Sequence, residues 1–241
     1  MRPEIVKILN DMKRFTKAIA AIMLTMAVVC AAGCKKDNDG YTYNGHEYVD
    51  LGLPSGTLWA TCNVGADSPE DYGDYFAWGE TEPKTIYNWT TYKWCNGNDD
   101  QLTKYCNSSR YGYNGFTDNL TTLQPSDDAA TANWGSGWCI PTEEQWEELY
   151  QNTTSSWTTR NGVKGRVFTA SNGNSIFLPA AGNRRDSELE LVECDGLYWS
   201  RSFDLNYPCS AWYLYFFSYY RDMNSDYRYN GFTVRPVLKE E

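Results

Sequence analysis

The sequence predicts an α+β domain of many short antiparallel strands with two small helices. Three observations carry that expectation. Turn residues recur about every 8 to 15 positions. The segments between them are rich in Tyr, Trp, Val and Phe at a period near two, the repeat of a strand with two different faces. Helical patterning is confined to two stretches, each with its own start or stop signal.

The chain opens on a targeting segment, residues 1–33. Met12-Lys13-Arg14-Phe15-Thr16-Lys17 is a short basic region. The run Ala18–Ala32 is almost wholly apolar but only 15 residues long, too short to cross a hydrocarbon layer of about 30 Å as a helix. It ends in Ala31-Ala32-Gly33-Cys34, which resembles a bacterial lipobox and implies lipidation at Cys34. Buried acyl chains contribute about 0.8 kcal/mol per methylene, so two or three of them hold a protein on a membrane without a spanning helix. Residues 34–40 are read as a polar tether; its acidic character resembles the surface-export signals of Bacteroides-type lipoproteins. Outer membrane or cell surface, lipid-anchored, is the expected location.

Residues 41–241 are read as a single domain, a length suited to one substantial core. Asn44-Gly45 is a turn opening a strand, where His46 is expected to be solvated and structural. The stretch from Trp89 to Leu123 holds Asn96-Gly97-Asn98-Asp99-Asp100 and Asn107-Ser108-Ser109, and reads as an inserted polar loop contributing little core. The first helix is expected over Ser126–Asn133, with Ser126 as cap and Gly135 as stop. The second follows Pro141, with Thr142 and Gln145 as a capping box and Glu143 and Glu144 in its first turn. Trp146, Leu149 and Tyr150 fall on one face of it.

Composition excludes several functions. Without residues 1–33 the totals of 21 basic and 31 acidic side chains lose five and two, leaving 16 against 29, a net of −13. Such a surface repels nucleic-acid phosphates. His46 is the only histidine, so His-based zinc sites and Ser/His/Asp triads are not expected. Six cysteines follow Cys34, at 62, 95, 106, 139, 194 and 209, in a compartment that permits disulfides. They allow 15 connectivities, with Cys95 and Cys106 the first pair to test. No zinc-like cysteine spacing occurs, and no cofactor or metal is expected. Asn88, Asn107, Asn119 and Asn152 begin Asn-x-Ser/Thr triplets, which carry little weight behind a bacterial lipoprotein signal.

Six blocks in order resemble the Fibrobacter succinogenes major paralogous domain family. They are Tyr48–Ala66, Asp74–Glu80, Gly137–Thr142, Leu178–Gly182, Tyr198–Ser200 and Gly231–Val237. Cys139 stands where that family more often has a basic residue. The resemblance implies a C-type lectin-like fold, shared with formylglycine-generating enzymes and with retroelement-diversified variable proteins. In the diversified relatives the last strands and loops carry the ligand-contacting positions, while Tyr198, Trp199, Ala211, Leu214, Phe216, Gly231, Phe232, Val234 and Arg235 match their scaffold.

The residues themselves point to binding. Strand alternation over Ala211–Phe217 sends Trp212, Leu214 and Phe216 to one face and Tyr213, Tyr215 and Phe217 to the other. One row fills the core, and the other is expected on display. Around it lie Arg201, Phe203, Asp204, Asn206, Tyr207, Tyr219, Tyr220, Arg221, Asn224, Asp226, Tyr227 and Arg228. Tyrosine offers wide amphipathic contact with few rotors to freeze, and arginine adds forked donors. The expected partner is an extracellular protein or glycan. Calcium-dependent sugar binding is disfavoured, because Glu82-Pro83-Lys84 and Gln124-Pro125-Ser126 lack the third oxygen ligand; calcium-independent stacking on sugars stays open. Catalysis of the formylglycine-generating type rests on fold analogy alone, since Cys194 and Cys209 stand outside that family's catalytic motif. The cluster Glu188, Glu190, Glu193 and Asp195 reads as a solvated acidic loop. The expectation is therefore a non-enzymatic binding protein.

Overall fold

The computed structural model describes residues 36–37 and 40–238. The targeting segment and Cys34 lie outside them. Residues Asp37–Glu241 form one compact unit, with all three buried clusters inside it. Among the described residues no helix is long and apolar enough to cross a membrane.

A two-residue strand, β1, covers Lys36–Asp37. The first sheet then runs in the order β2 (Gly40–Tyr43), β3 (His46–Asp50), β4 (Leu58–Ala60), β16 (Val237–Leu238) and β6 (Trp138–Cys139). Both ends of the domain therefore meet in one sheet. Asn44 and Gly45 both adopt positive φ between β2 and β3, the geometry a two-residue hairpin needs to match strand twist. Asn161-Gly162 repeats the device between β7 (Thr153–Arg160) and β8 (Val163–Ala170), which continue into β9 (Ser175–Pro179).

The second sheet positions the C-terminal surface. Its order is β14 (Tyr220–Tyr227), β13 (Ser210–Phe217), β12 (Gly196–Phe203), β15 (Phe232–Thr233) and β5 (Tyr75–Phe76). Only the β12–β15 pairing is parallel. A small hairpin pairs β10 (Asn183–Arg185) with β11 (Glu188–Glu190).

Among the described residues two α-helices are present, as expected. The second, α2 (Glu143–Asn152), has the full capping box. Gln145 N–H donates to Thr142 Oγ1 at 3.1 Å and Thr142 N–H to Gln145 Oε1 at 2.9 Å. Trp146 and Leu149 are buried, and the Trp146 indole donates to the Trp199 carbonyl. The first, α1, is shorter than expected, Ala129–Trp134, and its cap is Asp128 rather than Ser126. Residues Pro125–Asp127 form a separate 3₁₀ turn. The Asp128 carboxylate takes the Thr131 N–H at 3.0 Å and also the Ile140 N–H, so it ties the helix to the strand that follows.

The alternation in β12 and β13 fills two cores. Trp199 and Tyr213 belong to one cluster with Trp78, Trp138 and Phe232. Tyr198, Leu214 and Phe216 belong to another with Trp59, Trp146 and Phe168. Arg235 is fully buried and spends its guanidinium on backbone and amide oxygens: Asn63 Oδ1 at 2.8 Å, Phe177 O at 3.1 Å, Ala60 O at 3.2 Å and Thr61 O.

Two further expectations are corrected. The stretch from Trp89 to Leu123 does supply core, since Tyr92, Leu102, Tyr105 and Leu123 are all buried. Polar anchors hold it down. The Tyr105 hydroxyl and Lys104 Nζ both donate to Asp127 Oδ2 at 2.6 Å, and buried Arg228 donates to the Tyr105 carbonyl at 3.2 Å. Among the described residues no disulfide joins any of the six cysteines after Cys34. Cys95 and Cys106 each turn the thiol to a carbonyl of their own loop, Trp89 and Ser108, at 3.1 Å, and burial pushes both thiols up.

Candidate ligand-binding surface

The expected display row does not behave as a unit. Tyr213 is only 5% exposed; Phe232 and Trp199 lie against it at ring distances of 4.8 and 6.0 Å. Phe203, Asp204 and Arg228 are also buried. These four are corrected from surface to interior: Tyr213 and Phe203 belong to the first cluster, Arg228 lies over the Trp78 ring and donates to the Tyr105 carbonyl, and Asp204 takes the Asn206 N–H and the Ser225 hydroxyl. Toward the hairpin between β13 and β14 the cover runs out. Tyr215 and Phe217 are half-buried, and Tyr219 is 86% exposed.

What remains is a ledge of rings. Phe217 and Tyr220 are cross-strand partners stacked at 5.3 Å with 26° between planes. Tyr219 meets Phe217 edge-on at 4.5 Å, and Tyr215 lies 5.6 Å from Phe217. Offset and edge-on arrangements of this kind favour both partners, so the rings are held in place before any ligand arrives. Paired residues share a sheet face, which puts Asp222 beside Tyr215 and exposed Asn224 beside Tyr213. The Tyr215 hydroxyl donates to Asp195 Oδ2 at 2.9 Å. Burial first, and then that carboxylate, push the Tyr215 phenol up to about 12. Asp226 on the same face pairs with Arg185 at 3.6 Å.

The other expected site residues are scattered. Tyr227 is exposed at the far end of the β13–β14 pair, opposite Ser210, with its ring stacked on Tyr229. Arg221 is half-buried on the opposite face, donating to the Tyr150 carbonyl. Asn206 and Tyr207 are exposed on the turn before β13, and Arg201 is half-buried.

A second feature combines Phe203, Asp204 and Asn206 of the expected surface with residues outside it. A cleft of about 300 Å³ is lined by Trp212, Glu143, Glu144, Asp204, Asn206, Thr121, Thr122 and Ser202, with Phe203 and Leu205. Its cause is a break in pairing. Trp199 faces Tyr213 but Phe203 faces Ala211, so β12 bulges and leaves Trp212 without a register partner in β12, though Ser225 of β14 pairs with it on the other side. The bulge is diverted outward, with Arg201 N–H on the Pro141 carbonyl and Leu123 N–H on the Arg201 carbonyl. Asp204 is held by the Asn206 N–H at 2.9 Å and the Ser225 hydroxyl at 3.0 Å. Burial, and then the charges of Glu144, Glu147 and Asp204, push the Glu143 carboxyl up to about 7.

The remaining marked residues are structural. His46 stacks on Trp134 at 3.8 Å with 8° between planes, and burial lowers its pKa; it is half-buried rather than solvated. Glu188 and Glu190 are exposed on the small hairpin, and Glu193 reaches Lys164 at 3.5 Å. Among the described residues, no group of three or more His, Cys, Asp or Glu is placed to hold a metal ion. Comparison with protein-family models, with curated proteins and with solved structures finds no match to this chain.

Proposed function

We propose that the chain is a lipid-anchored cell-envelope protein with a C-type lectin-like domain of the major paralogous kind, which binds an extracellular protein or glycan through its C-terminal surface. The observation that carries this reading is the ring ledge. Phe217, Tyr219 and Tyr220 form a contiguous, mutually packed aromatic surface at a hairpin end, with Tyr219 almost wholly in water. Large exposed rings held rigidly on a scaffold are the composition of contact hot spots, since little freedom is lost on binding. The fold part of the proposal draws support from the placement of the six sequence blocks. Their tryptophans, Trp59, Trp78, Trp138 and Trp199, are fully buried, and Arg235 clamps the two ends of the domain.

A glycan is favoured over a protein by one feature, the placing of Asp222 and Asn224 on the same face as the rings. Sugars are bound by stacking of their apolar faces on aromatic rings while side-chain oxygens and amides take the hydroxyls. The test is binding of the fluorescently labelled unit 37–241 to a glycan array and to intact cells of mixed origin. Saturable binding to a sugar class, or to cells in a protease-sensitive manner, is the expected result. Absence of saturable binding on both would remove the proposal.

A further inference from the structure

The cleft beside Trp212 lies on the sheet face opposite the ring ledge, and its chemistry is different. Three carboxylates line it and no Lys, Arg or His does. Among the described residues none of the three is ion-paired; the basic side chains that form pairs engage Glu80, Asp127, Glu193 and Asp226 instead. Arg201, on the bulge itself, donates to the Leu123 carbonyl. The positive end of α2 accounts for Glu143 and Glu144 as first-turn residues. It accounts neither for Asp204, 4% exposed and fixed by two backbone N–H groups and the Ser225 hydroxyl, nor for Trp212, a half-buried indole walling the cleft where β12 offers it no register partner. An aromatic wall, a pre-oriented buried carboxylate and two more on the first turn of α2 around an open volume make a receptor for a flat cation.

We infer that this cleft binds a guanidinium group, presented as an arginine side chain of a protein partner, stacked on Trp212 and paired with Asp204, Glu143 and Glu144. Guanidinium suits the site better than ammonium. It is planar, so it lies on an indole, and its donors form a fork that meets two carboxylates at once. It is also more weakly hydrated, so entering a half-enclosed cleft costs it less. The cleft's own repulsion among like charges is relieved when the cation enters, and cation-π contact with tryptophan adds to the attraction. The inference stands whether or not the ledge is a ligand surface.

The test uses the unit 37–241 and two probes of equal shape, Nα-acetyl-L-arginine methylamide and its uncharged citrulline counterpart, titrated by NMR at low salt and pH 8. The arginine probe is expected to bind saturably and shift the Trp212 indole N–H resonance, with the citrulline probe at least tenfold weaker. Glu144→Gln, at an exposed position, is expected to weaken arginine binding at least threefold without altering the melting temperature. Trp212→Phe should weaken it further. Should Trp212→Phe fail to fold, the Glu144 variant and the citrulline comparison decide alone. Equal binding of the two probes, no effect of Glu144→Gln, or displacement of the arginine probe by micromolar calcium would each overturn the inference. The last outcome would make the cleft a metal site.

Discussion

Replacing Tyr213 and Tyr219 separately by alanine separates core from display on a single strand-and-turn unit. Tyr213 is 5% exposed and packs against Trp199 and Phe232. Truncating a buried ring of that size costs about 3–5 kcal/mol, transfer and cavity together. In a domain of this length each kcal/mol moves the melting temperature by about 2–4 °C. Tyr213→Ala is therefore expected to melt about 6–20 °C below the parent. Tyr219 is 86% exposed, and a substitution at such a position stays within about 0.5 kcal/mol, a shift of no more than about 2 °C. Differential scanning calorimetry of the two variants and the parent at pH 7 reads both numbers directly. The reasoning fails if the two variants melt together, whether both are near the parent or both far below it. Either result would mean that the boundary between covered and uncovered rings does not lie between positions 213 and 219.

Further consequences can be measured on the same protein. Asp128→Ala removes both the α1 cap and the acceptor for the Ile140 N–H, so a loss of about 2–4 kcal/mol in urea unfolding is expected, above the roughly 1 kcal/mol of a cap alone. A loss of 1 kcal/mol or less would mean that the link to Ile140 contributes nothing. Burial raises the phenols of Tyr198 and Tyr215 to about 12 and raises those of Tyr75, Tyr92, Tyr105 and Tyr213 as well. A folded-state value above the unfolded one of about 10 gives stability that is complete below pH 10 and is lost as pH climbs through the folded values. Phenolate absorbance at 295 nm should accordingly rise steeply together with loss of near-ultraviolet circular dichroism above about pH 10; ionisation of all tyrosines near pH 10 with the fold intact would contradict the burial. Because no disulfide joins the six cysteines among the described residues, reductant should leave the melting temperature unchanged and intact mass should show no disulfide in the unit 37–241; a mass lower by one or more pairs of hydrogens would contradict it.

How far the sequence could be read depended on whether the deciding contact was local. The start of α2 was legible because Thr142 and Gln145 satisfy one another within a single turn. For α1 the expected cap was Ser126, and the cap is Asp128, whose carboxylate is also fixed by Ile140, twelve residues away. The Trp89–Leu123 stretch looks like loop because its anchors, Asp127 and Arg228, lie outside it. Alternation in β13 correctly separates two faces but carries no information on whether one or both are covered. Tyr219 and Tyr220 were among the expected surface residues and are exposed, while burial of Tyr213 depended on the packing of Phe232 and Trp199 against it. The cleft was invisible for another reason. Trp212 sits in phase with core residues, and only the bulge in the neighbouring strand uncovers it.

The most direct test of the account compares two exposed aromatic pairs for their effect on binding to the glycan array and to intact cells. One is Tyr219→Ala with Tyr220→Ala on the ledge; the other is Tyr113→Ala with Phe116→Ala on a distant turn of the sequence, also exposed. Both double variants should melt within a few degrees of the parent. The ledge variant is predicted to lose binding at least tenfold and the other less than twofold. Undiminished binding by the ledge variant would contradict the assignment of this surface.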